Sequence, residues 1–303
     1  MTNISDMNLV KLIQHYSEDA DCRELLKELR WPDGVRCPRC DHDEVYDIKK
    51  RNQYQCKACE YRFSVTAGTI FDNTNLPLWK WFVAIYLILE SKKGISAAQV
   101  GRTIDVSYPT AWHLCHRIRE ALDEDDDEDG PPPLLKGIVE VDETWVGGKK
   151  RGVGRGSMEG KTMVAGAVER DGEARMDVVS GRDRERLHGF IKRHVADEAD
   201  AIFTDDWAAY RGIEDEDTRH ETVNHSAEEW VRGEVHTNGV ESLWSLLQRS
   251  LIGAYHKVNV KHLERYLDEL AWRFNGRENP NLFRDTLARM LGHGPLTFEA
   301  LTG

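Results

Sequence analysis

Four of the six cysteines stand in two Cys-x-x-Cys pairs, a spacing typical of a metal site. The pairs are Cys37 with Cys40 and Cys56 with Cys59, and the chain between them is long enough for a hairpin that brings four thiolates together tetrahedrally. Two disulfides are the alternative, but we expect the chain to stay in a reducing compartment. The spacing therefore predicts one structural zinc ion, which would supply most of the folding free energy of so small a ribbon.

Three acidic residues lie where folding could bring their carboxylates together. Asp142 belongs to an apolar segment with the pattern of a strand, and Asp205 directly follows a second, shorter one. Glu241 lies beside the apolar stripe of a predicted helix, so its side chain can point along a sheet toward the aspartates. If both strands belong to one sheet, the two aspartates are neighbours at its centre.

The elements around these acids follow the opening order of a ribonuclease-H-like fold. Three antiparallel strands, a helix and a further strand are predicted, at 137–146, 163–168, 174–179, 183–196 and 201–204. Helical spacing of apolar residues then predicts a helix from Val240 to Leu251 and a closing helix from Leu263 to Phe274. The expected domain is a mixed sheet flanked by helices.

Neighbouring residues offer alternative ligands. Asp206 rivals Asp205, and Asp205 is preferred because it stands at the end of the predicted strand. Asn238 has a carboxamide oxygen that can also coordinate a metal, whereas a lone His236 is expected to be packed. Glu143 is expected to be a solvated neighbour of Asp142, with its side chain on the other face of the strand.

A helix-turn-helix is predicted upstream. Ser96 is a plausible N-cap for a helix over 97–104, three residues form a turn, and another helix runs over about 109–122. Cys22 and Cys115 are expected to be buried thiols in helices. The residues expected to be exposed for contact with bases and phosphates are Tyr108, Thr110, His113, Arg117 and Arg119. A plain helical hairpin is the alternative.

The charge is unevenly distributed along the 303 residues. The net charge of -12 argues against a nucleic-acid partner, yet residues 30–120 hold 14 basic against 10 acidic side chains. Seven consecutive acids and three prolines predict a solvated linker over 123–136. The longest apolar run, 81–89, is too short to span a bilayer, and no signal-peptide pattern is present, so we expect a soluble, unexported protein.

A glycine-rich basic loop is a second candidate DNA contact. Residues 147–161 include six glycines, which let the backbone approach a phosphate closely, and several basic side chains that would neutralise it. These basic residues are Lys149, Lys150, Arg151, Arg155 and Lys161. A mobile solvated loop is the alternative.

Several longer motifs accompany the cysteine pairs. They are Val-Glu-Val-Asp-Glu-Thr-Trp-Val-Gly-Gly at 139–148, Thr-Asp-Asp-Trp-Ala-Ala-Tyr at 204–210 and His-Thr-Asn-Gly-Val-Glu-Ser-Leu-Trp-Ser-Leu-Leu at 236–247, with Tyr-His-Lys at 255–257, Lys-His-Leu-Glu-Arg-Tyr-Leu-Asp-Glu-Leu at 261–270 and Arg-Phe-Asn at 273–275. In these motifs and their order, from about residue 20 to 290, the chain resembles insertion-sequence transposases of the DDE superfamily, in the ISXO-type subgroup with an N-terminal zinc ribbon.

The resemblance implies that Asp142, Asp205 and Glu241 bind two Mg²⁺ or Mn²⁺ ions and that the site cuts the ends of a mobile DNA element and joins them to target DNA. Where the family often has a lysine that contacts phosphate, this chain has Gln248, with Arg249 beside it. The implied partner is double-stranded DNA, bound by a homodimer or higher oligomer. The implied location is a prokaryotic cytoplasm, at the nucleoid.

The chain is thus predicted to be multidomain. The expected parts are an N-terminal helix and zinc ribbon over 1–68, a helix-turn-helix domain over 72–122, the linker, a ribonuclease-H-like catalytic domain over 137–280 and a C-terminal tail over 281–303. Two other functions stay open: a non-catalytic DNA-binding regulator derived from a transposase, and a metal-dependent nuclease without strand transfer.

Overall fold

The computed structural model describes residues 7–124, 130–147, 160–214, 218–224, 229, 231–256 and 258–302. The chain forms two compact units, one made of Met1–Gly130 with Glu278–Gly303 and the other of Pro131–Arg277. Within the described ranges, no helix is both long and apolar enough to cross a membrane.

The first unit begins with two helices and a small ribbon. Helices α1 (Leu9–Tyr16) and α2 (Asp19–Arg30) precede an antiparallel sheet of β1 (Val45–Ile48), β2 (Gln53–Cys56) and β3 (Arg62–Phe63), in that order. Asn52 adopts the left-handed conformation (φ 50°) that closes the turn between β1 and β2. The hairpin predicted between the two cysteine pairs is therefore confirmed.

Three further helices follow in the first unit: α3 (Leu78–Glu90), α4 (Ala97–Ile104) and α5 (Tyr108–Glu120). Ser96 and Ser107 cap α4 and α5 by accepting hydrogen bonds from the backbone N–H groups of Gln99 and Thr110. A Cβ at Gly101 would lie 3.1 Å from the Cβ of Ala111, so glycine allows these two helices to pack closely. The two helices and the three-residue turn agree with the predicted bounds.

The segment 281–303, predicted as a tail, contributes helices α9 (Leu282–Gly292) and α10 (Phe298–Thr302) to the first unit. Helix α9 packs against α2 and α3 because it carries a buried apolar stripe. The Phe283 ring meets Phe82 edge-on, with centroids 5.8 Å apart, and Arg289 donates to the carbonyl of Ala121.

The second unit contains a five-stranded mixed sheet. Its strands are β4 (Ile138–Val146), β5 (Thr162–Glu169), β6 (Ala174–Val179), β7 (Ala201–Asp205) and β8 (Arg219–Val223), in the order β6-β5-β4-β7-β8. Strands β4, β5 and β6 pair antiparallel, whereas β7 is parallel to both β4 and β8. The sequence did not predict β8, since most of its residues are polar.

Helices cover both faces of this sheet, as predicted. Helix α6 (Arg184–His194) packs with Val139 and Val141 of β4. Helices α7 (Asn238–Ser250) and α8 (Leu263–Asn275) pack with β5 and β6 on the opposite face. Of the segment predicted as a linker over 123–136, Leu135 is buried and pairs with Val195, so the second unit begins before residue 137.

Candidate functional site

Three carboxylates meet where β4 and β7 lie side by side. Asp142 and Glu143 are consecutive residues of β4, and Asp205 is the last residue of β7. One carboxylate oxygen from each lies within 4.8 Å of the others. Because β4 and β7 are parallel neighbours, the strand end at Asp205 comes beside Asp142, as the strand pattern predicted.

Glu143 is enclosed rather than solvated, so that part of the prediction is wrong. Its side chain is only 2% exposed, and it accepts hydrogen bonds from Nε of Arg182 and from the hydroxyl of Tyr210. The same guanidinium lies 3.5 Å from Oδ2 of Asp205 and stacks over the Trp207 ring at 4.0 Å. Arg182 therefore bridges two of the three acids.

Burial and mutual repulsion dominate the electrostatics of this cluster. Burial, then the negative charges of Glu143 and Asp205, raises the pKa of Asp142 to about 7. Burial likewise raises the pKa of Glu143, and burial followed by the charge of Glu143 raises the pKa of Tyr210 well above its usual range. Hard oxygen donors that repel one another are suited to a divalent cation such as Mg²⁺ or Mn²⁺.

Glu241 is not among the residues that the structure groups in this cluster. It lies exposed in the first turn of α7, where Oγ1 of Thr237 donates to its Oε1 at 3.2 Å. Helix α7 nevertheless reaches the cluster, because Nε1 of Trp244 donates to Oδ2 of Asp142 at 2.9 Å. Glu241 precedes Trp244 by three residues, so both side chains lie on the same side of the helix.

The alternative ligands lie elsewhere. Asp206 is exposed and accepts from Nδ2 of Asn224 at 3.2 Å, and Asn238 is the exposed first residue of α7. His236 packs with its Nδ1 3.1 Å from Oε1 of Glu140. Sequence reasoning missed Arg182, which belongs to no motif. It also missed the role of Tyr210, although the residue lies in the 204–210 motif.

The four paired cysteines also come together. Their sulfur atoms lie within 4.8 Å of one another, with pairwise separations of 3.7, 3.6 and 3.5 Å for Cys37–Cys59, Cys40–Cys56 and Cys40–Cys59. Sulfur atoms around a tetrahedral zinc are about 3.8 Å apart, whereas a disulfide requires about 2.0 Å. Hydrogen bonds from the backbone N–H groups of Cys59 and Ala58 lower the pKa of Cys56 to about 6, which favours the thiolate. The residues thus fit a zinc ion.

The predicted DNA contacts of α5 divide into exposed and buried residues. Tyr108 is 58% exposed, Thr110 is exposed and His113 is partly buried. Arg117 and Arg119 are buried, so the prediction that they are exposed is wrong. Arg117 donates to the carbonyls of Ile70 and Asp72 and lies 4.8 Å from the Trp81 ring, because its long side chain turns into the unit.

The remaining predicted contacts lie in the second unit. Gln248 and Arg249 are exposed on α7, and Lys161 is partly buried beside β5. The basic residues of the glycine-rich loop, Lys149, Lys150, Arg151 and Arg155, lie outside the described residues.

Comparison with known proteins identifies the family. The ISXO2-like transposase domain matches residues 134–275, and a transposase zinc-ribbon domain matches residues 17–62. An uncharacterized protein in transposable element ISH50 of Halobacterium salinarum is 30% identical over 276 residues, which cover 84% of this chain and 90% of that protein. The chain belongs to the ISXO2-like transposase family. The predicted resemblance is thereby confirmed.

More distant similarities were also found. An uncharacterized transposase-like protein of Haemophilus influenzae is 29% identical over 77 residues, 25% of this chain and 61% of that protein. A pre-cleavage Mos1 transpososome aligns with a TM-score of 0.28 and 10% identity, covering 69% of this chain and 75% of the other. The Mos1 paired-end complex with the left transposon end gives a TM-score of 0.29, 11% identity and the same coverage. Scores this low do not establish a shared fold.

Proposed function

We propose that this ISXO2-like family member is an active DDE transposase, which binds the ends of a mobile DNA element and catalyses metal-dependent cleavage and strand transfer. The observation that carries the proposal is the meeting of Asp142 and Asp205 at the centre of the domain that matches the family. The sheet order, three antiparallel strands followed by two parallel ones, supports a ribonuclease-H-like catalytic domain.

The carboxylates of Asp142, Asp205 and Glu241 would hold the catalytic Mg²⁺ or Mn²⁺. Ions bound by these residues would supply activation of the attacking water or 3′-hydroxyl and charge stabilisation at the leaving oxygen of an in-line phosphoryl transfer. The Trp244 indole orients Asp142 by donating to its Oδ2, and the backbone N–H of Trp207 donates to Oδ1 of Asp205. Both aspartates are thus held in fixed rotamers before DNA arrives.

Glu241 and Glu143 compete for the role of third ligand, and we favour Glu241. Both oxygens of Glu143 already accept hydrogen bonds, one from Arg182 and one from Tyr210. Glu241 is exposed in the first turn of α7, three residues before the Trp244 that contacts Asp142, and in this proposal its side chain would rotate toward an ion at Asp142. In this account Glu143 fixes Arg182 rather than binding metal.

Arg182 can supply positive charge near the scissile phosphate. Its side chain is one-third exposed, and its guanidinium lies beside Asp205 and stacks on the partly exposed indole of Trp207. An arginine held in this way presents its remaining N–H donors to a phosphate. Arg182 would therefore supply a phosphate contact in a chain that has Gln248 in place of the family's lysine.

The first unit would recognise the DNA ends. Helices α4 and α5 and their three-residue turn support a helix-turn-helix, with the exposed start of α5 entering the major groove. Tyr108, Thr110 and His113 are the proposed contacts from α5, with Gln248, Arg249 and the basic loop contacting phosphates in the other unit. A structural zinc ion bound by the four cysteines would stabilise the ribbon, and pairing of two DNA ends would require at least a dimer.

A matched pair of glutamate variants tests the catalytic assignment. Glu241→Gln should reduce Mg²⁺-dependent cleavage of element-end DNA by a thousandfold or more, on the order of 4 kcal/mol, because an anionic metal ligand is lost. Glu143→Gln should reduce it by only about tenfold, because it loosens Arg182 without removing a ligand. The reverse order would identify Glu143 as the third ligand. Wild-type protein that binds the ends but never cuts them would be a regulator.

A further inference from the structure

Glu140 is a buried carboxylate that the proposed chemistry does not use. It lies two residues before Asp142 on β4, so both side chains emerge from the same face of the sheet. Its side chain is 1% exposed. A buried carboxylate normally requires several partners, and those of Glu140 come from the start of α7, from the residue His236 just before it and from Arg170 at the end of β5.

The carboxylate of Glu140 caps helix α7. Its Oε2 accepts from the backbone N–H groups of Gly239 at 2.6 Å and of Val240 at 3.2 Å. Thr237, at the N-cap position, makes no capping hydrogen bond with its side chain. Backbone N–H groups at the start of α7, which have no partner within the helix, therefore donate to Glu140, a residue of β4 about 100 positions earlier. The negative charge of Glu140 also interacts favourably with the dipole of α7.

The side chains of Arg170 and His236 lie against the other oxygen of Glu140. Nε of Arg170 donates to Oε1 at 3.0 Å, and Nδ1 of His236 lies 3.1 Å from the same atom. Arg170 also donates to the backbone carbonyl of His236 at 3.3 Å. The residues before α7 and the end of β5 are thus fixed around one carboxylate.

Glycines allow this close approach at two points. A Cβ at Gly239 would lie 2.8 Å from Oε2 of Glu140, so any residue with a side chain would displace this carboxylate. Gly166 is the residue of β5 that pairs with Asp142, and a Cβ there would lie 2.4 Å from the Trp244 ring. The two glycines let α7 lie directly against β4 and β5.

Two hydrogen-bonded contacts therefore fix α7 along β4. Glu140 binds the helix at residues 239 and 240, and Asp142 binds it at Trp244. Glu241 lies in the turn between these contacts. Any shift of the helix start would displace Glu241 relative to Asp142.

We propose that Glu140 is a positioning residue for the metal site, which holds the first turn of α7 so that Glu241 can share an ion with Asp142. The inference rests on the proposed function, since it takes Glu241 as a ligand. Loss of the contact should lower metal affinity by about ten- to a hundredfold, as for other residues that orient ligands.

The test is the binding of Mn²⁺ to the zinc-loaded full-length protein, followed through the electron paramagnetic resonance signal of free Mn²⁺. Glu140→Gln should weaken Mn²⁺ binding by at least tenfold, because a neutral amide cannot accept from both backbone N–H groups and Arg170. Gly239→Ala should act in the same direction, although alanine is the better helix former. A loss of Mn²⁺ affinity in Gly239→Ala could therefore not be attributed to a weaker helix.

The matched control is Asp177→Asn. Asp177 is a partly buried carboxylate on β6 of the same sheet, bound to His194 and Arg193. This variant should lower the thermal stability of the protein and keep wild-type Mn²⁺ affinity. If Glu140→Gln and Gly239→Ala also bind Mn²⁺ with wild-type affinity, the positioning role of Glu140 is refuted. If Asp142→Asn binds Mn²⁺ as tightly as wild type, the metal site itself, and with it the proposed function, is wrong.

Discussion

Replacing Asp142 with asparagine should stabilise the metal-free protein at alkaline pH, although it removes a proposed catalytic ligand. Asp142 is partly buried, and its desolvation, followed by the negative charges of Glu143 and Asp205, raises its pKa from 3.8 to about 7. Asparagine has nearly the same shape, and its carbonyl oxygen can still accept from Nε1 of Trp244. The substitution therefore removes a partly buried charge and keeps the hydrogen bond.

The raised pKa determines the sign and size of the effect. Between pH 3.8 and about 7 the folded protein retains a proton on Asp142 that the unfolded chain has lost, so stability falls as the pH rises through this window. At about 1.4 kcal/mol per unit of pKa, the wild-type protein loses on the order of 4 kcal/mol between pH 4 and pH 8. The asparagine side chain does not titrate, so the variant should be more stable by up to that amount at pH 8 and similar to wild type at pH 4.

Calorimetric unfolding of the zinc-loaded protein in Mg²⁺-free buffer measures this difference across the pH range. Added Mg²⁺ should stabilise the wild type at pH 8 and have little effect on the variant, because only the wild type keeps the full set of anionic ligands. Asp206→Asn is the matched control, since it makes the same substitution at an exposed carboxylate that follows Asp205. If Asp142→Asn is no more stable than wild type at pH 8, the electrostatic account of the site is refuted.

Three further predictions concern the first unit. Purified protein should contain about one zinc ion per chain by metal analysis. Cys40→Ser should release the zinc and unfold the ribbon, which would then be cleaved by a protease. Metal-free protein with protected disulfides would contradict this prediction. Arg117→Ala should lower thermal stability, by on the order of 2 kcal/mol, because it leaves the carbonyls of Ile70 and Asp72 without a donor. Tyr108→Ala should instead weaken binding of element-end DNA by roughly tenfold at unchanged stability, measured by fluorescence anisotropy with the full-length protein. Equal DNA binding by the Tyr108 variant would remove α5 from the recognition surface.

Local sequence patterns were sufficient to predict most elements and the meeting of the two aspartates. The alternation of β4 and the short apolar β7 locate Asp142 and Asp205, and Cys-x-x-Cys spacing locates the ribbon cluster. Partners distant in sequence were not predictable in this way. Glu143 is enclosed by Tyr210, 67 residues later, and no local pattern signals that contact.

Helical periodicity was likewise ambiguous for long side chains. Arg117 lies beside the apolar stripe of α5, and its periodicity is compatible with either a solvated or a buried guanidinium. Only the carbonyls of Ile70 and Asp72, which belong to another segment, decide that it is buried. The packing of α9 against α2 and α3 also depends on apolar faces that are distant in sequence.

The most direct test of the account is a cleavage and joining assay with DNA from the inverted repeats that flank the coding sequence. With Mg²⁺, the wild-type protein should cut the element end to leave a 3′-hydroxyl and join it to target DNA. Asp205→Asn should bind the same DNA and form neither product, whereas Asp206→Asn should remain active. Cleavage that needs no divalent metal, or that persists in the Asp205 variant, would contradict the assignment of this chain as a metal-dependent DDE transposase.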